Sequence, residues 1–145
     1  MANIIKEQQD ILTKLNIHQL NPMQEEAIAV IEKTTNTVLL SPTGTGKTLA
    51  FLLPMIKTLD PDCTDIQVLI LVPSRELAIQ IEQVVRSMGS GFKVNAVYGG
   101  RPMSKDKIEI KHIPAILIGT PGRISDHFSN DRFSKDMIKT LILDE

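Results

Sequence analysis

The chain has 145 residues, the length of one domain and too short for two. Apolar residues make up 42% of it and charged residues 23%, which excludes wholesale disorder. Lys and Arg total 16 against 17 Asp and Glu, a net charge of −1, so no global basic field holds nucleic acid by charge alone. Four Phe, one Tyr and no Trp are too few for a protein that stacks many bases on aromatic platforms. The lone Cys63 excludes an internal disulfide and a Cys-based zinc site, which fits a reducing, cytoplasmic setting. His18, His112 and His127 are scattered without metal-ligand spacing, and His112 and His127 read as surface residues. The N-terminus has no apolar signal core, and no apolar run approaches the roughly 18 residues that span a bilayer, so no membrane partner is expected.

In chain order, Asn21-Pro22-Met23-Gln24 opens a first helix, with a cap residue and Pro at the first helical position. Thr37–Ser41 reads as a strand, followed by a helix over Thr48–Leu59 that is bent or shortened at Pro54. Gln67–Val72 is the second strand. Ser74–Met88 is an amphipathic helix stopped by Gly89, with Leu77, Ala78, Ile81, Val84, Val85 and Met88 on one stripe. Lys93–Tyr98 is the third strand, and Lys105, Asp106, Lys107, Glu109 and Lys111 read as the solvated face of a helix. Ala115–Thr120 is the fourth strand, Thr120-Pro121 opens another helix, and Thr140–Asp144 is the fifth strand. Met23, Met55, Met88 and Met137 read as core filler. Most strand runs are continuously apolar rather than alternating, the mark of a parallel sheet buried on both faces. The expected fold is α/β, a mainly parallel sheet with helices on both faces. A buried-type strand ending at Glu145 should lead into another helix, so residues 1–145 are expected to be the C-terminally incomplete front part of a longer protein.

Ser41-Pro-Thr43-Gly44-Thr45-Gly46-Lys47-Thr48 lies between a strand and a helix, the context of a phosphate-binding loop. Gly44 and Gly46 let consecutive amides turn inward to form an anion nest at the positive end of the helix. Lys47 then reaches the β- and γ-phosphates of a nucleoside triphosphate, and the Thr48 hydroxyl can ligate Mg²⁺. Asp144 and Glu145 end the last strand. One carboxylate there can hold Mg²⁺ and the other can polarise the attacking water. Pro73-Ser74-Arg75-Glu76, Gly99-Gly100 and Thr120-Pro121-Gly122-Arg123 also follow strands, at the edge where open α/β sheets bind ligands. Two of the three start helices and present free amides, and Arg75 and Arg123 add charge, so the set describes a phosphodiester track.

The order of these motifs resembles the first RecA-like domain of a DEAD-box RNA helicase, from about Asn16 to Glu145. SPTGTGKT is similar to motif I, PSRELA to motif Ia, Gly99-Gly100 to the GG motif, TPGR to motif Ib, and Leu143-Asp144-Glu145 to the start of LDEAD. Asn21-Pro22-Met23-Gln24 aligns with the end of the Q motif, which gives Gln24 a role in recognising adenine. The same Gln24 sits three residues after Asn21 and can complete a capping box. The family usually has Phe where this chain has Ile17, and an aromatic farther upstream, whereas none here precedes Phe51.

The resemblance implies a RecA-like P-loop NTPase domain that binds Mg-ATP. It implies a grip on the backbone of single-stranded RNA, and strand separation when the domain is joined to a second RecA-like domain. A related DNA helicase is the neighbouring reading, told apart by the two residues after Glu145. A P-loop kinase for a small metabolite would need an Arg-rich lid, which nothing here resembles. A non-catalytic RNA scaffold would not need Lys47, Thr48, Asp144 and Glu145 together.

Overall fold

The computed structural model describes residues 3–145. Its elements run α1 (Gln8–Lys14), α2 (Pro22–Lys33), α3 (Lys47–Thr58), β1 (Val68–Leu71), α4 (Arg75–Met88), β2 (Val94–Val97), α5 (Met103–Lys111), β3 (Ile116–Gly119), α6 (Pro121–Ser129) and β4 (Thr140–Leu143). The four strands form one sheet in the order β2-β3-β1-β4, and every pairing is parallel. Val68 lies opposite Ile116 on one side and Thr140 on the other, and Val94 also aligns with Ile116. All strands therefore end level, on one edge.

Side chains alternate across a strand, and the core divides accordingly. Val68 and Ile70 of β1, Ala96 of β2 and Ile118 of β3 pack beneath α1 to α4 with Ile11, Leu52, Ile56, Ile81 and Met88. Leu69, Val97 and Leu117 face the other way, against Ile110 of α5, Ile124 of α6 and Phe133. Helices cover both faces of β1 to β3, as the continuous apolar runs predict, whereas Leu141 and Leu143 of β4 are 59% and 68% exposed. Each fully buried Leu or Ile contributes on the order of 1.5–3 kcal/mol. The amphipathic stripe on α4 is set at both ends, since Ser74 Oγ accepts from the Leu77 amide and Gly89 closes the helix in the left-handed region. α3 continues through Pro54, which is buried inside it.

Three expectations change. Thr37–Ser41 forms no strand, and Val38 and Leu40 are 86% and 89% exposed. The outer side of β4 is open, but among the described residues the segment pairs with no strand of the sheet. Its apolar composition reports strand propensity, but pairing needs a partner. Asp106 and His127, read as solvated, are both fully buried and face each other. Their position under the sheet edge decides their burial, and helical periodicity in α5 carries no trace of it. α1, which no sequence pattern announces, packs Ile11 and Leu12 into the core.

Gly119 ends β3 where α6 folds back over the sheet. A methyl group there would lie 2.6 Å from Ile124 Cδ1 and 2.9 Å from the Val97 carbonyl oxygen. Gly122, two residues into α6, has open space at the same position. Gly119→Ala should therefore destabilise the fold by about 1–3 kcal/mol in urea unfolding, and Gly122→Ala should not. Equal midpoints for the two variants would show that α6 does not depend on this close approach.

Candidate nucleotide and nucleic-acid site

The level strand ends set out the candidate residues in a row. Following the sheet order, the edge carries Gly99-Gly100 after β2, Thr120–Arg123 after β3, Pro73–Glu76 after β1 and Asp144-Glu145 after β4. The three segments read as a phosphodiester track are thus neighbours, and the paired carboxylates stand at their end. The Asp144 amide donates to the Leu71 carbonyl at 3.0 Å, which extends the β1–β4 ladder to the first carboxylate.

The phosphate loop is braced from behind by the start of α2. Asn21 and Gln24 form the capping box: the Gln24 amide donates to Asn21 Oδ1 at 2.9 Å, and the Asn21 amide donates to Gln24 Oε1 at 3.0 Å. Both side chains then reach the loop. Asn21 Nδ2 donates to the Thr45 carbonyl at 3.0 Å and Gln24 Nε2 to the Gly46 carbonyl at 3.1 Å. Gly46 caps α3 with φ of 88°, a left-handed conformation, and any Cβ there would collide with the Gln24 amide. Inside the loop, Ser41 and Thr45 hydroxyls share a hydrogen bond of 2.6 Å, and Thr45 Oγ1 donates to the Pro42 carbonyl at 2.7 Å. The Ser in place of a first Gly thus ties the loop across its width. Thr43 and Gly44 are exposed at the tip, and Lys47 and Thr48 begin α3 half-buried.

Lys47 also acts on the far carboxylate. Burial raises the Asp144 carboxyl above its ordinary value, the neighbouring Glu145 raises it further, and the Lys47 charge works in the opposite direction. The fold brings the phosphate loop within electrostatic reach of the end of β4, although residues 47 and 144 are 97 positions apart in sequence.

On the track, Arg75 and Glu76 are paired at 3.0 Å with side chains 60% and 67% exposed. The hydrogen bond from Arg75 holds the Glu76 carboxyl below the usual range. Arg75 crosses the end of β3 to lie against Gly100, where a Cβ would sit 3.4 Å from its Nη1. Gly100 itself has φ of 83°. Ser74 caps α4 through its side chain, whereas Thr120 makes no side-chain cap, so amides at the start of α6 stay available.

Arg123 departs from the expectation of a free point charge. Its side chain is 12% exposed: Nη2 donates to the Arg101 carbonyl at 2.5 Å, and Nη1 contacts Asp106 at 3.4 Å and Met103 Sδ at 3.4 Å. Arg101 was not singled out from sequence, and Asp106 was read there as part of a solvated helix face. Neither belongs to a motif, and their link to Arg123 exists only in three dimensions. Among the described residues, no group of three or more His, Cys, Asp or Glu forms a metal cluster, and no helix is long and apolar enough to cross a membrane.

Comparison with known proteins places this arrangement. The family model for DEAD/DEAH box helicases matches residues 21–145. The chain is 40% identical over 129 residues to the ATP-dependent RNA helicase CshA of Limosilactobacillus reuteri, covering 88% of this chain and 26% of that protein. It is 40% identical over 127 residues to the DEAD-box ATP-dependent RNA helicase RhpA of Helicobacter pylori, covering 86% of this chain and 26% of the relative. Among solved structures it is similar to the yeast DEAD-box splicing factor Prp28, with a TM-score of 0.84 and 29% identity over 94% of this chain and 34% of that one. A hypothetical ATP-dependent RNA helicase from Sulfolobus tokodaii superposes with a TM-score of 0.82 at 26% identity, covering 96% of this chain and 41% of that one. The chain spans about a quarter of the length of these curated relatives. With its motifs in the family's order along one sheet edge, the chain belongs to the DEAD/DEAH box helicase family.

Proposed function

We propose that these residues form the ATP-binding and first RNA-binding half of an ATP-dependent RNA helicase. The observation that carries the reading is the order along the sheet edge: three backbone-rich segments side by side, then two carboxylates. ATP would lie with its phosphates on the amides of Gly44 to Thr48 and the Lys47 ammonium as their main counter-charge. Gln24 would serve adenine with the remaining hydrogen-bonding capacity of its amide, since each of its two polar atoms makes one bond in the protein.

The donor chemistry also fits Mg²⁺. The Thr48 hydroxyl and Asp144 carboxylate are hard oxygen donors, and the adjacent Glu145 leaves this end of β4 with negative charge that Lys47 alone does not cancel. Thr48 and Asp144 would hold the ion, which when bound supplies neutralisation of phosphate charge. Glu145 would polarise the attacking water.

RNA would lie across Pro73–Glu76, Gly99-Gly100 and Thr120–Arg123, held mainly by amides that read phosphate and sugar. Arg75 supplies the exposed cation. Its pair with Glu76 is solvent-exposed and worth little, so a phosphate displaces it easily. The curated relatives are about four times as long, which leaves room for a second RecA-like domain. Closure on that partner by ATP would bend the strand and break local pairing, and the arginine that phosphoryl transfer needs would come from across the interface. Cytoplasmic residence follows from the same reading.

Three outcomes are expected. Lys47→Ala should weaken ATP binding by roughly 10- to 100-fold in calorimetry, whereas Lys57→Ala on the same helix, which removes only a surface pair with Glu32, should not. Equal affinities would exclude the phosphate-loop reading. Arg75→Ala should make the log-affinity against log-salt slope for oligouridine shallower by roughly 0.7, and an unchanged slope would remove Arg75 from the track.

The third concerns Asp144, whose carboxyl is raised in the folded chain. Its ionisation therefore opposes folding once the pH exceeds the unfolded value of about 3.9. The penalty is complete above the folded value and absent in acid. Without nucleotide, Asp144→Asn should melt above wild type at neutral pH, with the difference vanishing near pH 3. A variant that melts lower at neutral pH would contradict the assigned environment.

A further inference from the structure

Beneath the proposed RNA track lies a buried polar cluster in which Arg123 alone belongs to a motif. Asp106, on α5, is fully buried. Its Oδ2 accepts from His127 Nε2 at 3.0 Å and lies 3.4 Å from Arg123 Nη1, and its Oδ1 faces Arg101 Nε at 3.6 Å. Arg132 Nη1 donates to His127 Nδ1 at 3.1 Å. A guanidinium only donates, so Nδ1 is the acceptor and Nε2 carries the proton that Asp106 receives. Arg101 is held further by bonds to the Ala96 carbonyl at 2.9 Å and to Glu109 Oε1 at 2.5 Å. Burial works against its charge, but Glu109, Asp106 and Tyr98 together raise its pKa above the ordinary value.

The cluster joins two of the three track segments. Arg101 directly follows Gly99-Gly100, and Arg123 closes Thr120–Arg123. Arg123 Nη2 grips the Arg101 backbone carbonyl, and Asp106 contacts both guanidinium groups from below. Such a carboxylate is a poor device for stability. Desolvation offsets much of its attraction, and Oδ1 is the one buried side-chain polar atom among the described residues without a hydrogen bond. An apolar residue would fill the space at lower cost, but it would not fix the relative position of two backbone segments from different strands.

We propose that Asp106 is a positioning residue for RNA: through Arg101, Arg123 and His127 it locks the turn after β2 to the start of α6, so that amides from both meet one phosphodiester strand in register. The inference rests on the RNA reading given above. Asp106 touches no phosphate itself. Losing it therefore loosens the track without removing a cation, and affinity falls while the salt slope stays constant. Simple unfolding of the domain would instead reduce nucleotide binding and turnover along with RNA binding.

The test uses the intact protein, with Asp106→Asn and Arg101→Gln as variants. Arg101 is partly exposed at the surface, so its variant carries the test alone if Asp106→Asn does not fold. Anisotropy with labelled oligouridine at several salt concentrations should show an affinity loss of about tenfold for both variants, with an unchanged slope for Asp106→Asn, which removes no cation. The KM for RNA in stimulated ATP hydrolysis should rise in proportion, with kcat at saturating RNA and the affinity for a fluorescent ATP analogue near wild type. The double variant should lose no more than the weaker single variant, because both break one unit. Wild-type RNA affinity in the folded variants would overturn the proposal. So would losses of nucleotide affinity and kcat that track the loss of RNA binding. A wild-type protein that neither binds oligouridine nor is stimulated by RNA would instead overturn the RNA reading itself, whatever the variants do.

Discussion

Parallel pairing is the constraint from which the site follows. Strands that run the same way must be joined by crossovers, and here each crossover carries a helix that buries one face of the sheet. The loops that leave the strands therefore share one edge, and helix starts there present unpaired amides with the positive ends of their dipoles. On the proposed reading, a chain with no net positive charge would hold a polyanion in this way, through backbone groups concentrated on that edge. The carboxylates at the end of β4 lie on the same edge, beside the segments that would hold the strand.

The phosphate loop shows how little of a binding site is its named motif. Its glycines permit the backbone conformation, but the loop is held by Asn21 and Gln24, which are also occupied in capping α2. Gln24 serves both the cap and the loop because an amide side chain has one acceptor and one donor end. The acceptor end serves the helix and the donor end serves the Gly46 carbonyl. Cap, loop and helix α3 are thus joined through a single side chain.

Much of this was legible in the sequence because it is local. Continuous apolar runs located β1 to β4 to within a residue or two, and Ser74 and Gly89 marked the ends of α4. The motifs at the strand ends were readable because backbone chemistry demands particular residues at particular places. Thr37–Ser41 misled because its composition records a preference for pairing, whereas the ladder depends on what stands beside it. Asp106 misled for the opposite reason. On a helix with exposed Lys105 and Lys107 it reads as solvated, and only the meeting of α5 with Arg101, Arg123 and His127 buries it. The inward turn of Arg123 was illegible for the same reason: a cation in a loop looks the same whether it faces water or a carboxylate.

The strand order also bears on how the chain is made. β1 is flanked by β3 and β4, and β2 has β3 as its one neighbour, so no strand can pair until β3 has been synthesised. Until then Val68, Ile70 and Ala96 have helices on one side at most and no ladder for their backbones. A nascent chain must shelter that surface through the synthesis of α4, β2 and α5, the interval in which non-native contacts between copies compete with folding. β4 follows the other three strands and pairs with one already in place, so the carboxylates are added to an edge that β1, β2 and β3 have set out.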